Sequence, residues 1–467
     1  MKKLFTLAAA VLVGLSPFAP AMAQEREAPP AGSEPRGFNL PEIETYALGN
    51  GVKVSLVPFG RVPKAFVLST VQVGNLNDGD TPWISDLTAD MLSEGAGGKS
   101  ASELALAAAL MGGDLNVGVG LDQTTVSMDV LSDSVSDAVA LIADVLQRPD
   151  FPEAEFARVQ QNLLRNISIS KTQPGAMAQS AFTQLIYPDH PYARANSPQE
   201  SEFAAITLDD AKAFHAANFG AQRTHIYVVG QFDRKAVKKA INSAFRKWSK
   251  GAAPLTLTPA MPGDSQVVLV DRPGAVQSTI RLGKRVPPIS QSLDLEAADT
   301  ILGGYFSSRI TRNIREDKGY TYSPNSAVSS ELNAAYWRQN ADITSEATGP
   351  AIAEIVKEVR GLQAAPPSDK ELTGIKNYMN GIFVIQLASR GGVANQLAFV
   401  NLHKLGVGYL ANYVATVEAL TPASVQAAAN EHLKVDEMSL AVVGDLASVR
   451  SQLEALPDFA GRLPGAE

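Results

Sequence analysis

The alternation of apolar and polar positions divides the chain into short strands and helices in mixed order. Tyr46–Leu48 and Val52–Val57 flank Asn50-Gly51, the signature of a tight hairpin. Phe66–Val73 reads as a further strand. Leu115, Val117, Val119 and Leu121 alternate, as do Val126, Met128 and Val130, which gives two more. Helical spacing runs from Pro82 to Glu94 and stops at Gly95. It returns in the stripes Val135, Val139, Ile142, Leu146 and Phe156, Val159, Leu163, Ile167. Ser100 and Glu103 make the capping box of a helix that reaches Met111 and ends at Gly112-Gly113. This order predicts an α+β fold, with a mixed, mostly antiparallel sheet covered by helices.

The pattern then repeats. Ile206-Thr207 through Val228-Val229-Gly230 aligns without a gap on Leu420-Thr421 through Val442-Val443-Gly444, at a constant offset of 214 residues. Each copy is a Thr-started helix, a break, and a strand ending in Val-Val-Gly. The offset is close to half the chain, so two homologous domains are expected, at 39–249 and 266–456. A Pro-, Gly- and Thr-rich linker at 250–265 joins them, and a tail follows at 457–467.

The N-terminus carries a different signal. Lys2-Lys3, the apolar run Leu4–Leu15 and Ala21-Met22-Ala23 are the three parts of a secretory signal peptide, residues 1–23. Export to the periplasm is the expectation. The apolar run is shorter than the ~20 residues that span a bilayer, and no later stretch replaces it, so no transmembrane anchor is expected. Residues 24–38 read as a flexible leader. The chain has no cysteine, which excludes disulfides, thiol catalysis and Cys-ligated zinc. A formal net charge of −8 with no Lys/Arg-rich stretch argues against a nucleic-acid partner.

Most catalytic motifs fail on inspection. Gly95–Ser100 resembles a phosphate-binding loop, but Ser93 stands where the first glycine belongs and the segment follows a helix. The five histidines never recur at three or four residues, so no helix face presents a metal-binding pair. Asp86, Asp90 and Glu94 share one helix face, where they either meet a hard cation or line a solvated surface. The most informative stretch is Ile301–Ser326. It holds a Gly-Gly turn, a helix with Ser308, Ile310 and Ile314, then Arg315 and Tyr322. Arg315 offers a planar fork of donors for a carbonyl or carboxylate, and Tyr322 a phenolic donor for an oxyanion. The alternative is an arginine that caps a helix end and a tyrosine packed on a strand.

The pattern L-G-G-x-x-x-S-R-x-x-x-x-I-R-E-x-K-G-x-x-Y-S, from Leu302 to Ser323, closely resembles the C-terminal-domain signature of the insulinase/pitrilysin family of zinc metallopeptidases. Leu48-Gly49-Asn50-Gly51, Met91 to Leu104 and Tyr187-Pro188-Asp189-His190-Pro191-Tyr192 are similar to other landmarks of that family. The family's zinc motif is H-x-x-E-H, with a glutamate on a later helix as third ligand. In register, this chain has Asp86-Leu87-Thr88-Ala89-Asp90, and Asn166 at the distal position. The resemblance therefore implies no metal in this chain and no peptide hydrolysis by this chain alone. It further implies half of a peptide-enclosing clamshell, paired with a zinc-bearing homologous subunit. In such pairs the companion supplies an Arg–Tyr pair that binds substrate carbonyls and stabilises the transition state, and Arg315 and Tyr322 match it. The expected function is the zinc-free companion of a periplasmic heterodimeric peptidase acting on peptides. A non-catalytic scaffold and a homodimeric peptide-binding protein are the alternatives.

Overall fold

Two sheets built in the same strand order organise residues 40–465, apart from 291 and 333, which are the residues the computed structural model describes. The expected signal peptide and leader lie outside the described residues. The first half holds β1 (Glu44–Ala47), β2 (Lys53–Pro58), β3 (Lys64–Val71), a two-residue hairpin of β4 (Gly95–Ala96) and β5 (Lys99–Ser100), β6 (Asn116–Val119), β7 (Thr124–Leu131) and β8 (Thr224–Gly230). The second holds β9 (Val267–Asp271), β10 (Gln277–Val286), β11 (Asn325–Val328), β12 (Ala335–Thr344) and β13 (Ser439–Gly444). The orders are β1-β2-β8-β3-β7-β6 and β11-β12-β10-β13-β9. Leaving β1 aside, β2-β8-β3-β7-β6 repeats as β9-β13-β10-β12-β11. Each sheet has one parallel pair, β2 with β8 and β9 with β13. The Val-Val-Gly ends of the sequence repeat are β8 and β13, interior strands buried at every position.

The described residues of the first half form nine α-helices: α1 (Ile84–Leu92), α2 (Ala101–Leu110), α3 (Val135–Gln147), α4 (Glu153–Ser170), α5 (Pro174–Ile186), α6 (Pro191–Ala195), α7 (Glu200–Ala204), α8 (Leu208–Asn218) and α9 (Arg234–Phe245). The second half adds α10 (Asp294–Asp299), α11 (Thr348–Ala364), α12 (Asp369–Gln386), α13 (Arg390–Leu402), α14 (Gly408–Ala419), α15 (Pro422–His432) and α16 (Leu446–Glu454). Their starts follow from local chemistry. Ser100 accepts from the Glu103 amide while Glu103 reaches back at 2.8 Å, and Thr207 and Thr421 cap α8 and α15 in the same way. Val139, Ile142, Leu146 and Ile167 pack under Val54, Leu56, Val67 and Met128 of the first sheet. Ile352, Ile355 and Val359 pack under Ile280, Leu282 and Trp337 of the second.

The other face of each sheet is covered by a helix from the opposite half. Helix α5 lies on β9, β10 and β13, where Phe182 and Ile186 meet Tyr336 and Ala441. Helix α13 lies on β3 and β8, where Val393 and Leu397 meet Val57, Leu68 and Tyr227. Arg390, the first residue of α13, forks onto Asp129 of β7 at 3.0 and 3.1 Å. This exchange explains why β8 and β13 are apolar on both faces: neither face meets water. Residues 250–265 contain neither helix nor strand, and Arg223 holds them through the carbonyls of Ala252 and Ala253. No helix among the described residues is long and apolar enough to cross a membrane.

Candidate functional site

Helix α1 carries the four-residue carboxylate series, and its three acids meet different surroundings. Upstream of the helix, the Asp78 carboxylate accepts from the amides of Trp83 at 2.9 Å and Ser85 at 3.1 Å, closing the open N–H groups of the first turn. The Asn75 amide joins Asp78, Ser85 and Asp86 at 3.1, 3.0 and 2.6 Å. Burial pushes the Asp86 carboxyl up to about 7, with Asp78 and Asp90 adding to the rise against the Asn75 bond. Asp90 lies at the helix surface, and Glu94 pairs with Arg158 of α4 at 2.5 Å. Ala89 is buried, and Asn166 is on the exposed side of α4.

These residues do not fit zinc. The metal takes three or four converging nitrogen, thiolate or carboxylate donors, and hydrolysis needs a base beside its water. Here Asp86 is engaged by Asn75, Asp90 faces outward, Asn166 is a neutral amide and Ala89 has no proton acceptor. Among the described residues no group of three or more His, Asp or Glu side chains is placed to hold a metal ion. Asn75 and Asp78, which organise this end of α1, were not singled out from the sequence. An Asn-x-x-Asp pair upstream of a helix start is the signal that would have found them.

Arg315 and Tyr322 are brought together. The Arg315 guanidinium stacks between the rings of Phe306, 4.4 Å from its centroid, and Tyr322, at 5.0 Å. Phe306 is 66% exposed and Tyr322 78% exposed, so this cation–π sandwich faces solvent. Among the described residues the guanidinium has no carboxylate or hydrogen-bond partner, and neither has the Tyr322 hydroxyl. The helix end does not need Arg315 as a cap. Backbone amides close it instead, Gly319 donating to the Arg315 carbonyl at 3.1 Å and Tyr320 to that of Ile314 at 2.8 Å. Gly319 takes φ +66 to allow this. A cleft of about 360 Å³ opens beside the pair, bounded by Gly304, Thr311, Asn325 and Tyr378.

Two expectations about this stretch are corrected. Gly303-Gly304 is not a turn but the end of a π-helical segment, Thr300–Gly304, and the following helix is π-helical over Thr311–Asp317. Ile310 and Ile314, four residues apart, suit an α-helix and a π-helix alike, so their spacing alone does not reveal the widened turns. The glycines are needed for close approach. A Cβ on Gly303 would stand 2.6 Å from Ser326 Oγ, and one on Gly304 2.8 Å from Asp299 Oδ2. Asp299 is buried and accepts from Ser326 Oγ at 2.5 Å and Trp337 Nε1 at 2.7 Å. This node ties the segment before Phe306 to the start of β11, which holds the two rings on either side of Arg315. Arg309 of the same motif forks onto Glu371 of α12 at 2.8 and 2.7 Å, an anchor rather than a free donor.

Comparison with known proteins agrees with this layout. Residues 63–196 match the family model described as insulinase (peptidase family M16), and residues 205–379 match the one described as peptidase M16 inactive domain. The chain is 23% identical over 440 residues to an uncharacterized zinc protease of Mycobacterium bovis, across 93% of this chain and 98% of that one. A Bacillus subtilis uncharacterized zinc protease is 23% identical over 357 residues, 74% of this chain and 85% of its own. The fold is similar to the crystal structure of a peptidase M16 inactive domain from Pseudomonas fluorescens, with a TM-score of 0.79, 26% identity, and coverage of 86% and 98%. A protease from Helicobacter pylori superposes with a TM-score of 0.80 at 20% identity, covering 87% of this chain and 100% of that one. The first matched segment contains Asp86, Ala89, Asp90 and Asn166; the second contains Arg315 and Tyr322.

Proposed function

The chain belongs to the insulinase family, peptidase M16, and from that premise we propose that it is the zinc-free companion subunit of a two-chain peptidase of the periplasm. One observation carries the reading: a cation held against two exposed rings with no ion-pair or hydrogen-bond partner among the described residues, in a chain whose family zinc positions hold two aspartates, an alanine and an asparagine. Lying against two rings, with no ion-pair or hydrogen-bond partner among the described residues, the guanidinium keeps its donors free for a ligand. The carbonyl of a bound peptide is such a ligand. As water adds to that carbonyl its oxygen becomes an oxyanion, and the fixed Arg315 fork and the Tyr322 phenol bind the developing charge more tightly than the ground state. Zinc and water activation then belong to a homologous partner that retains H-x-x-E-H.

The scaffold alternative gives no reason to keep Arg315 unpaired and Tyr322 at the surface. The periplasmic location rests on the signal-peptide pattern of residues 1–23. The test is reconstitution. The purified mature chain should cleave no peptide, and adding a homologue with an intact zinc motif should produce an active complex. Peptide cleavage by this chain alone, lost on chelation together with one bound zinc, contradicts the proposal.

A further inference from the structure

The second sheet carries two arginines that the helix above it does not neutralise. Arg281 on β10 lies opposite Asn340 of β12, and Gly283 lies opposite Arg338. Residues two apart in a strand share a face, so Arg281 and Arg338 are diagonal neighbours on the side that α5 partly covers. On the first sheet the exchanged helix α13 brings its own Arg390 to a strand carboxylate, Asp129. Helix α5, from Pro174 to Ile186, has no charged residue at all. It offers only the Gly175 carbonyl, 3.5 Å from Arg281, and the Gln179 side-chain oxygen, 2.7 Å from Arg338. Arg281 Nε is buried with no hydrogen-bond partner among the described residues. Asp342 faces the same region, but it is exposed, bonded to Thr279 at 2.5 Å, and within ion-pair distance of neither arginine among the described residues. Arg281 is already held below the usual arginine range by burial and then by Arg338.

We propose that Arg281 and Arg338 form a carboxylate-binding subsite for the end of a peptide whose backbone carbonyl is held at Arg315. The peptide part rests on the proposed function; the anion site does not. Asn325, Asn340 and Arg281 are successive cross-strand partners on β11, β12 and β10, and Asn325 also borders the Arg315 cleft. Two strand spacings amount to ~10 Å, and an extended peptide advances ~3.3 Å per residue. A carboxylate about three to four residues beyond the carbonyl bound at Arg315 therefore reaches the arginine pair. Two guanidinium groups left without an anion gain one, and the like-charge repulsion between them is relieved.

The test uses the full mature chain and fluorescent octapeptides of Gly, Ser and Leu, identical except for a C-terminal acid or amide. Anisotropy titration should show the acid binding about tenfold tighter, the range of one charge-assisted hydrogen bond. Arg281→Gln and, independently, Arg338→Gln should bring the acid down to the affinity of the amide. An amide peptide with glutamate as its last residue tells side-chain from terminal carboxylates: tight binding assigns the site to either, weak binding to the terminus alone. A parallel thermal-shift titration compares N-acetylleucine with its amide and decides the anion site even if no peptide binds, an outcome that would count against the proposed function only. Equal effects of acid and amide in the wild-type protein, or an acid preference that survives both substitutions, overturn the subsite.

Discussion

Tyr192 donates its hydroxyl to Asp122 at 2.6 Å, and the other carboxylate oxygen of Asp122 accepts the Leu332 amide at 2.9 Å. Asp122 sits in the β6–β7 loop and Leu332 in the β11–β12 loop, the corresponding positions of the two sheets. Tyr187 completes the junction with a bond to Glu331 at 3.2 Å. The Tyr-Pro-Asp-His-Pro-Tyr motif is thus a fastening between the halves, remote from the chemistry in its role. Removing the phenol leaves a buried carboxylate short of a donor, which costs about 1–3 kcal/mol. Tyr192→Phe should lower the melting temperature by about 1–3 °C in a chain of this size, read by calorimetry, while binding at Arg315 stays intact.

Asp86 gives a pH dependence whose sign is fixed by its environment. Its folded carboxyl titrates at about 7, above the ordinary aspartate value, because burial disfavours the charge. A raised pKa means the group favours the folded state below its unfolded value and progressively loses that contribution as the pH rises through 7. Asp86→Asn should therefore gain melting temperature relative to wild type between pH 5 and pH 8. Asp78, raised by burial to about 6, titrates in the same window and is coupled to Asp86, so the gap reads Asp86 together with its effect on Asp78, and both act in the same direction. A gap that does not change with pH would contradict this account of α1.

Gly303 is sterically committed. Alanine there would place its Cβ 2.6 Å from Ser326 Oγ and 2.8 Å from Gln339 Oε1, inside the node that positions Phe306 and β11. Overpacking of this kind costs about 1–3 kcal/mol. Gly303→Ala should lower the melting temperature and also weaken peptide binding, because the Phe306 ring shifts from Arg315. Gly361, with open space around it, is the control.

Much of this architecture is legible before any coordinate is known. Val126, Met128 and Val130 alternate because β7 has one face in the core, and Val139, Ile142 and Leu146 recur because α3 does. The Thr207 and Thr421 caps reveal the duplication because each residue does a specific chemical job at a helix start. The exchange of α5 and α13 is not legible. Phe182 and Leu397 announce that they are buried, but apolar periodicity carries no information about which sheet buries them. Arg315 and Tyr322 are legible as a motif, whereas Phe306, the ring that completes the sandwich, looks like any aromatic in a loop. Arg281 and Arg338 alternate with apolar residues like solvated strand positions. Only the uncharged helix above them shows otherwise.

Elemental analysis of the purified chain after gel filtration should find no stoichiometric zinc. Asp86, Ala89, Asp90 and Asn166 supply neither converging donors nor a base. Zinc at one per chain, removable by a chelator, would show that these positions had been misread.

The central claim is that Arg315 and Tyr322 act on substrate and hold nothing together. Tyr322 is exposed and its hydroxyl has no partner among the described residues, so Tyr322→Phe should leave the melting temperature and complex assembly unchanged. Loss of one oxyanion donor costs about 10²–10³ in kcat. The decisive measurement is kcat of the reconstituted complex carrying Tyr322→Phe, taken on the same preparation as its melting temperature. A fall of that size at constant stability is the predicted result. Full turnover by the Tyr322→Phe complex would contradict it.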